Sequence, residues 1–277
     1  MSTLYVVATP IGNLEDMTYR AVRVLREADW IACEDTRETR KLLGHFEIET
    51  PLISYHDFNE IERAKELAGR LTGGESGAIV SDAGMPLISD PGYRLVRAAI
   101  EAGITVQPVP GASASLSALA ASGLPTDSFH FLGFLPAKAG QRAHLLESLR
   151  NERSTLIFYE APHRILDTLA DVERIMGIRP VVVAREMTKI HEEFIRGTAG
   201  QILDQLRGRD TVRGEITLLV GKSSKPTIPN VPIERAMEQQ VSTGMSRMDA
   251  MKAIARERGI SKREVYERVS GKMAKQR

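Results

Sequence analysis

An α/β fold in two domains with a small helical tail is what this 277-residue sequence predicts, and three observations predict it. Short apolar runs alternate with helical patterns from Leu4 to Gly123, the βαβα order of a mostly parallel sheet. After Leu124-Pro125-Thr126-Asp127 the strands follow one another more closely and read as a mixed sheet with hairpin-like content. Lys222 to Pro232 carries three prolines, a linker, and the chain beyond it is helical and basic. The expected divisions are 1–124, 125–221, 222–232 and 233–277.

Leu4 to Ala8 is the first strand and runs into Thr9-Pro10-Ile11-Gly12-Asn13-Leu14, a loop shaped by proline and glycine. Ala21, Val22, Leu25 and Ala28 give the helical spacing of a helix over 18–28. Trp30 to Cys33 is a strand ending in Glu34-Asp35-Thr36-Arg37, whose carboxylates either face a ligand or cap the helix over 36–43. A strand over 51–56 and a helix over 59–71 lead to Ala78-Ile79-Val80, a buried strand ending at Ser81-Asp82. Gly84 and Pro86 then turn the chain, with Asp90 expected to cap a helix that has Pro91 at its first position. Constrained loops beyond the carboxyl ends of parallel strands are candidate ligand sites. A strand over 104–108 is followed by Val109-Pro110-Gly111-Ala112-Ser113-Ala114-Ser115 and a helix of small residues closing at Gly123, whose first N–H groups can approach a ligand closely.

The second domain shows strands over 129–134, 155–161, 181–187, 192–198 and 214–221, separated by helices over 142–150, 164–176 and 201–207. Its strand ends again stop abruptly at polar groups. Gly133 to Arg142 reads as a flexible basic loop suited to phosphates. In the tail, helices over 247–258 and 262–269, joined by Gly259-Ile260-Ser261, form a helix-turn-helix.

Composition narrows the function. Net charge is +1 from 37 Lys+Arg and 36 Asp+Glu, but residues 226–277 carry 11 basic and 6 acidic residues, a net +5, leaving −4 for residues 1–225. A basic tail on an acidic body suggests a polyanionic partner; such helix pairs are often only packing units, and the basic excess favours RNA contact. No apolar run reaches membrane-spanning length, and Met1-Ser2-Thr3 leads straight into a strand, so a cytoplasmic protein is expected. The single cysteine, Cys33, lies in an apolar run and is expected in the core; the six histidines show no metal spacing, and no metal site is expected. There is no G-x-G-x-x-G, and Gly221-Lys222-Ser223 lacks the upstream glycine of a P-loop because Ile216 stands there. What remains is a set of backbone-shaped loops with carboxylates nearby, suited to a cofactor that brings its own reactive centre.

Eight motifs, in order, are similar to those of the tetrapyrrole methylase superfamily of S-adenosylmethionine (AdoMet) enzymes, the class III methyltransferase fold. They are Thr9 to Leu14, Glu34 to Arg37, Ser81 to Gly92, Pro110 to Ala114, Gly133-Phe134-Leu135-Pro136, Phe158 to Arg164, Ala184 to Lys189 and Arg213-Gly214-Glu215. Thr-Pro-Ile-Gly-Asn-Leu and Glu-Asp-Thr-Arg resemble the branch that methylates ribosomal RNA. The resemblance spans residues 4–221. It implies a homodimeric two-domain enzyme that holds AdoMet between its domains and methylates the ribose 2′-oxygen of a cytidine in 16S rRNA of the small ribosomal subunit. Carried over by motif, donor contacts fall on Pro10, Asp82, Gly84, Leu87, Ser113, Ala114, Tyr159, Ala184, Glu186 and Glu215. Met85 stands where the family usually has threonine, and Ala112-Ser113 departs from the commoner Pro-Cys or Pro-Ser.

A ribose hydroxyl is a poor nucleophile near neutrality and needs a base, for which Asp35, Glu34, His56 and Glu186 are candidates. Arg37, Lys138, Arg142, Arg164 and Lys189 are candidate phosphate contacts. Two other readings use the same residues: a superfamily enzyme acting on a corrinoid, another tetrapyrrole or a modified protein side chain, and a non-catalytic RNA-binding assembly factor.

Overall fold

The computed structural model describes residues 2–223, 232–258 and 260–271. Most of the expected linker, 224–231, and Gly259 of the expected tail turn lie outside the described residues. The chain divides into two compact units, Met1–Lys222 and Ser223–Arg277.

In the first unit, β1 (Thr3–Val7), β2 (Trp30–Cys33), β3 (Leu52–Ser54), β4 (Gly77–Ile79) and β5 (Thr105–Val109) form a sheet in the order β3-β2-β4-β1-β5. All of its pairings are parallel. Helices α1 (Tyr19–Glu27), α2 (Thr36–His45), α3 (Glu60–Thr72) and α4 (Tyr93–Glu101) are the crossovers, so every strand ends at one edge. Local chemistry sets the helix starts: Thr18 Oγ1 accepts the Ala21 N–H at 3.1 Å, and Asp35 Oδ1 accepts the Arg37 N–H at 2.8 Å. Val7, Leu25, Ile31 and Val80 fill one face of the sheet, and Leu4, Trp30, Leu67 and Leu95 fill the other. Gly77 lies beside Trp30 in the β2/β4 register, and a Cβ there would enter the indole ring. Cys33 is a buried core thiol.

One cap differs from expectation. Asp90 and Pro91 do not start α4; Gly92 does, at φ 136°, and the acceptor comes from a neighbouring helix. Glu60 Oε1, in the first turn of α3, accepts the N–H groups of Gly92 (3.2 Å) and Arg94 (3.4 Å). This capping across helices frees the Asp90 carboxylate to point elsewhere.

The second sheet joins β6 (Phe129–Phe134), β7 (Thr155–Glu160), β8 (Val181–Arg185), β9 (Glu193–Gly197) and β10 (Ile216–Val220) in the order β6-β7-β10-β8-β9. Only β6/β7 is parallel. The central β10 is buried along its whole length. Around this sheet lie α6 (Ala139–Ser148), α7 (Ile165–Met176) and α8 (Ala199–Arg207), the last opened by a Thr198/Gln201 capping box. The expected flexible loop from Gly133 to Arg142 is mostly ordered structure. β6 runs to Phe134, Leu135 is buried, and α6 already begins at Ala139.

α5 (Ala114–Ser122), which the expected boundary at residue 124 assigns to the first domain, packs on the second sheet. Ala118 and Leu119 meet Ile157, Val182, Ala184 and Leu219, and Ile11 and Met187 join the same cluster. One core therefore stitches the two sheets together.

The second unit contains three helices among its described residues: α9 (Ile233–Ser242), which sequence reading missed, α10 (Arg247–Arg258) and α11 (Lys262–Gly271). Ile233, Met237, Ala250, Ile254 and Val265 form its small core. Ser261 caps α11, accepting the Glu264 N–H at 3.1 Å. Among the described residues no helix is long and apolar enough to cross a membrane.

Candidate active site

The loops after β1, β2, β4 and β5 face those after β7 and β8 and before β10 across a cavity of about 720 Å³. That volume suits a small ligand, for which pockets of roughly 300–1,000 Å³ are usual. Its floor is tied by backbone. Thr9 and Gly84 exchange two hydrogen bonds, N–H to O at 2.9 Å and 3.1 Å, and Thr9 Oγ1 donates to the Ser81 carbonyl at 3.0 Å. Of the five non-glycine residues with positive φ among the described residues, four lie in two wall loops: Leu87, Ser89, Glu186 and Thr188. Such conformations cost of order 1–3 kcal/mol each and cluster where a ligand must be fitted. Ser113 and Ala114 reach the cavity at the start of α5, where the Ser113 side chain makes no capping bond. The Ser115 N–H in that first turn is directed at the Tyr159 hydroxyl, and the other first-turn N–H groups have no acceptor within the helix.

The wall is acidic. Glu34, Asp82 and Asp90 line it together. Burial, then the charge of Asp82, pushes the Glu34 carboxyl up, and burial likewise raises Asp82. Asp90, half-buried and near the charge of Glu34, is pushed up to about 6 although a hydrogen bond with Ser81 works the other way. Opposite them, Glu186 Oε1 accepts Lys189 Nζ at 3.0 Å and the Glu215 N–H at 3.0 Å, which hold its carboxyl below the usual range. Lys189 also meets Glu215 at 3.1 Å. Gly214, at φ 90°, is pressed against the Glu186 side chain, and the space a Cβ would need is filled by it. Tyr159 is wedged between Phe131 and Phe134, with ring centroids 4.9 Å and 5.5 Å away.

Of the expected donor residues, Asp82, Gly84, Ser113, Ala114, Tyr159, Glu186 and Glu215 line the cavity. Pro10, Leu87 and Ala184 do not line it. Pro10 is buried beside the Thr9–Gly84 bridge, Leu87 packs into the first core, and Ala184 is fully buried in the shared core. The two readings of Glu34-Asp35 divide between the residues, since Glu34 lines the cavity while Asp35 caps α2. Asp35 is also held by the Arg37 guanidinium at 2.7 Å and 3.1 Å, which drives its carboxyl far below the usual range and makes it a poor base. Its N–H donates to Asp82 Oδ1 at 3.2 Å, so it positions the cavity wall. His56 lies outside the lining, next to Asn59.

Two of the expected phosphate contacts are used internally. Arg142 is 5% exposed and bonded to Asp171 at 2.8 Å, and Arg164 pairs at 2.6 Å with Glu160, whose side chain is fully buried. Each is thus engaged by a carboxylate of the second sheet's own helices and strands. Arg37 and Lys138 are exposed, and Lys189 lines the cavity. Asp90 and Glu160 are cavity carboxylates that sequence reading missed, Asp90 because Asp-Pro-Gly before a helical pattern reads as a cap.

Known proteins resemble this chain at two levels. Residues 3–203 match the family described as Tetrapyrrole (Corrin/Porphyrin) Methylases. The ribosomal RNA small subunit methyltransferase I of Halalkalibacterium halodurans is 49% identical over 271 residues, covering 95% of this chain and 93% of that protein. The protein of the same name from Bacillus subtilis is 43% identical over 274 residues, covering 96% and 94%. Among solved structures, a diphthine synthase superposes with a TM-score of 0.61 at 14% identity, covering 80% of this chain and 90% of that one. The uroporphyrin-III C-methyltransferase of Thermus thermophilus, complexed with S-adenosylhomocysteine, gives 0.54 at 18% identity, covering 80% and 98%. Likeness at that identity speaks for the fold alone.

Proposed function

Because the chain belongs to the tetrapyrrole (corrin/porphyrin) methylase family, and within it to the ribosomal RNA small subunit methyltransferases I, we propose that it binds AdoMet in the 720 Å³ cavity and methylates small-subunit rRNA. In its finer form the reading is 2′-O-methylation of a cytidine in 16S rRNA by a cytoplasmic homodimer. The observation that carries it is the cavity wall, where Glu34, Asp82 and Asp90 face a single lysine, Lys189, already held by two carboxylates. An acidic wall suits a cationic ligand. When bound, AdoMet supplies an electrophilic methyl group and a good leaving group.

The chain's own residues would do the rest. The start of α5, where Ser113 makes no capping bond, suits a carboxylate, and Asp82 suits hydroxyl donors. Tyr159, Met85, Ile88 and Met187 supply apolar walls that exclude water. Glu34 is the best-placed of the four base candidates: it lines the cavity, and its raised proton affinity suits accepting a proton from the ribose hydroxyl as the new bond forms. Asp35 and Glu186 are tied to cations and act as positioning groups. Arg37, Lys138 and Lys189 are the remaining phosphate candidates.

The test is methyl transfer from labelled AdoMet to purified 30S subunits that lack their ribose methylation, with mapping of the product. A single 2′-O-methylcytidine is expected. AdoMet binding without transfer to subunits or free RNA would instead favour a tetrapyrrole or protein side chain as acceptor.

A further inference from the structure

Behind the Glu186–Gly214 wall of the cavity lies a second cleft, of about 430 Å³, with a different chemistry. Arg185 enters it from the end of β8, His191 from the β8–β9 connection, and Arg209 and Arg213 from the segment between α8 and β10. Four loop or strand-end residues from three places in the sequence thus converge on one small volume. Their charge is under-compensated. Glu193 is the carboxylate that answers Arg185, at 3.2 Å, and it answers Arg209 as well, at 2.8 Å and 2.6 Å. Glu186, on the shared wall, is engaged from the other side by Lys189. Arg213 is exposed, and its carbonyl is held by Arg185 at 3.0 Å, which fixes the backbone from which its guanidinium extends.

We propose that this cleft seats a phosphodiester of the acceptor strand, next to the nucleotide whose ribose enters the methylation cavity. The proposal rests on the rRNA-methylating reading and adds to it a site distinct from the donor pocket. A guanidinium is a planar fork of donors that matches phosphate oxygens, and Arg185 and Arg209 are already oriented by Glu193 before any strand arrives. The shared wall does the geometric work. With Glu186 and Gly214 lining both spaces, a strand gripped in the cleft has its neighbouring sugar at the cavity mouth. The cleft therefore sets register along the strand, while the cavity sets chemistry.

The test uses the full chain with Arg213→Glu, Arg213→Ala and Arg213→Lys. Three quantities are read: KM for 30S subunits, the Kd of a short single-stranded oligoribonucleotide across a salt series, and the Kd for AdoMet by calorimetry. Arg213→Glu is expected to weaken RNA binding and raise KM by about tenfold or more, and Arg213→Ala to lower the slope of log K against log salt by about 0.7, the value of one single-strand phosphate contact. Arg213→Lys should keep the slope, and AdoMet affinity should stay unchanged in all three, which also shows that the variants fold. An Arg213→Glu protein with wild-type KM, Kd and salt slope overturns the proposal, leaving a solvated charge cluster. So does inorganic phosphate binding that depends on Arg213 while RNA binding does not. If wild-type protein transfers no methyl group to subunits or RNA, the functional reading fails; the oligoribonucleotide series still decides the cleft, which stands if Arg213→Glu weakens binding and falls if it does not.

Discussion

Asp90 and Glu34 each hold a proton more tightly in the folded protein than an ordinary carboxyl does, Asp90 through burial and the charge of Glu34, and Glu34 through burial and the charge of Asp82. For Asp90, raised to about 6, the folded state binds more protons than the unfolded state from the ordinary carboxyl range up to that pH. Stability therefore falls as pH rises through this window and levels off above about 6. Asp90→Asn removes the burden: thermal melts should show it more stable than wild type at pH 7.5 and equal to it at pH 3.5. Its methyl transfer should lose the rise with pH near 6 that the ionisation of a carboxyl lining the same cavity imposes. Glu34→Gln should lower kcat by about 10²–10⁴-fold with little change in AdoMet Kd, as loss of a general base does. Arg142 makes the contrasting case. Its guanidinium serves Asp171 inside the second domain, so Arg142→Ala should cost about 3 kcal/mol in urea unfolding and leave RNA affinity untouched.

At the scale of elements, the packing between Gly77 and Trp30 gives a direct check on the first sheet. Gly77→Ala forces a methyl group into the indole and should destabilise by about 1–3 kcal/mol, measured by denaturant midpoint at unchanged slope. The alternation of apolar runs and helical spacing is enough to read all ten strands and most helices among the described residues, because periodicity is a local signal. Caps and partners were less legible. Asp35 was readable as a cap since the Arg37 N–H that it accepts lies two residues away, whereas α4 takes its acceptor from Glu60, more than thirty residues back, and no local pattern announces that. The fate of α5 was hidden for the same reason: small residues say that something packs closely, not which sheet it meets. α9 was legible and overlooked, for Ile233, Met237 and Val241 stand at helical spacing directly after the prolines. In the cavity, Asp82, Ser113 and Tyr159 followed from motifs, while the internal pairing of Arg142 and Arg164 uses partners on α7 and β7 that sequence does not pair.

For the whole molecule, the division at Lys222 predicts separable roles. A chain ending at Lys222 should fold, retain AdoMet affinity and lose part of its RNA affinity, as calorimetry and filter binding would show. Self-association should have its own determinant. Phe58 is fully exposed, Ile61 58% and Tyr93 65%, all at the ends of α3 and α4 that Glu60 ties together. Apolar surface of this kind is a candidate for the dimer contact. Sedimentation should give about twice the 30.6 kDa chain mass, and Phe58→Asp should shift it toward the monomer.

The paired hydrogen bonds between Thr9 and Gly84 join two loops that would otherwise be free to part, and their amide hydrogens exchange with solvent only when the loops separate. Those two amides are thus a built-in clock for opening of the cavity floor. In deuterated buffer they should exchange far more slowly than the neighbouring loop amides, and slower again once the cavity is filled, reporting occupancy without any label on the ligand.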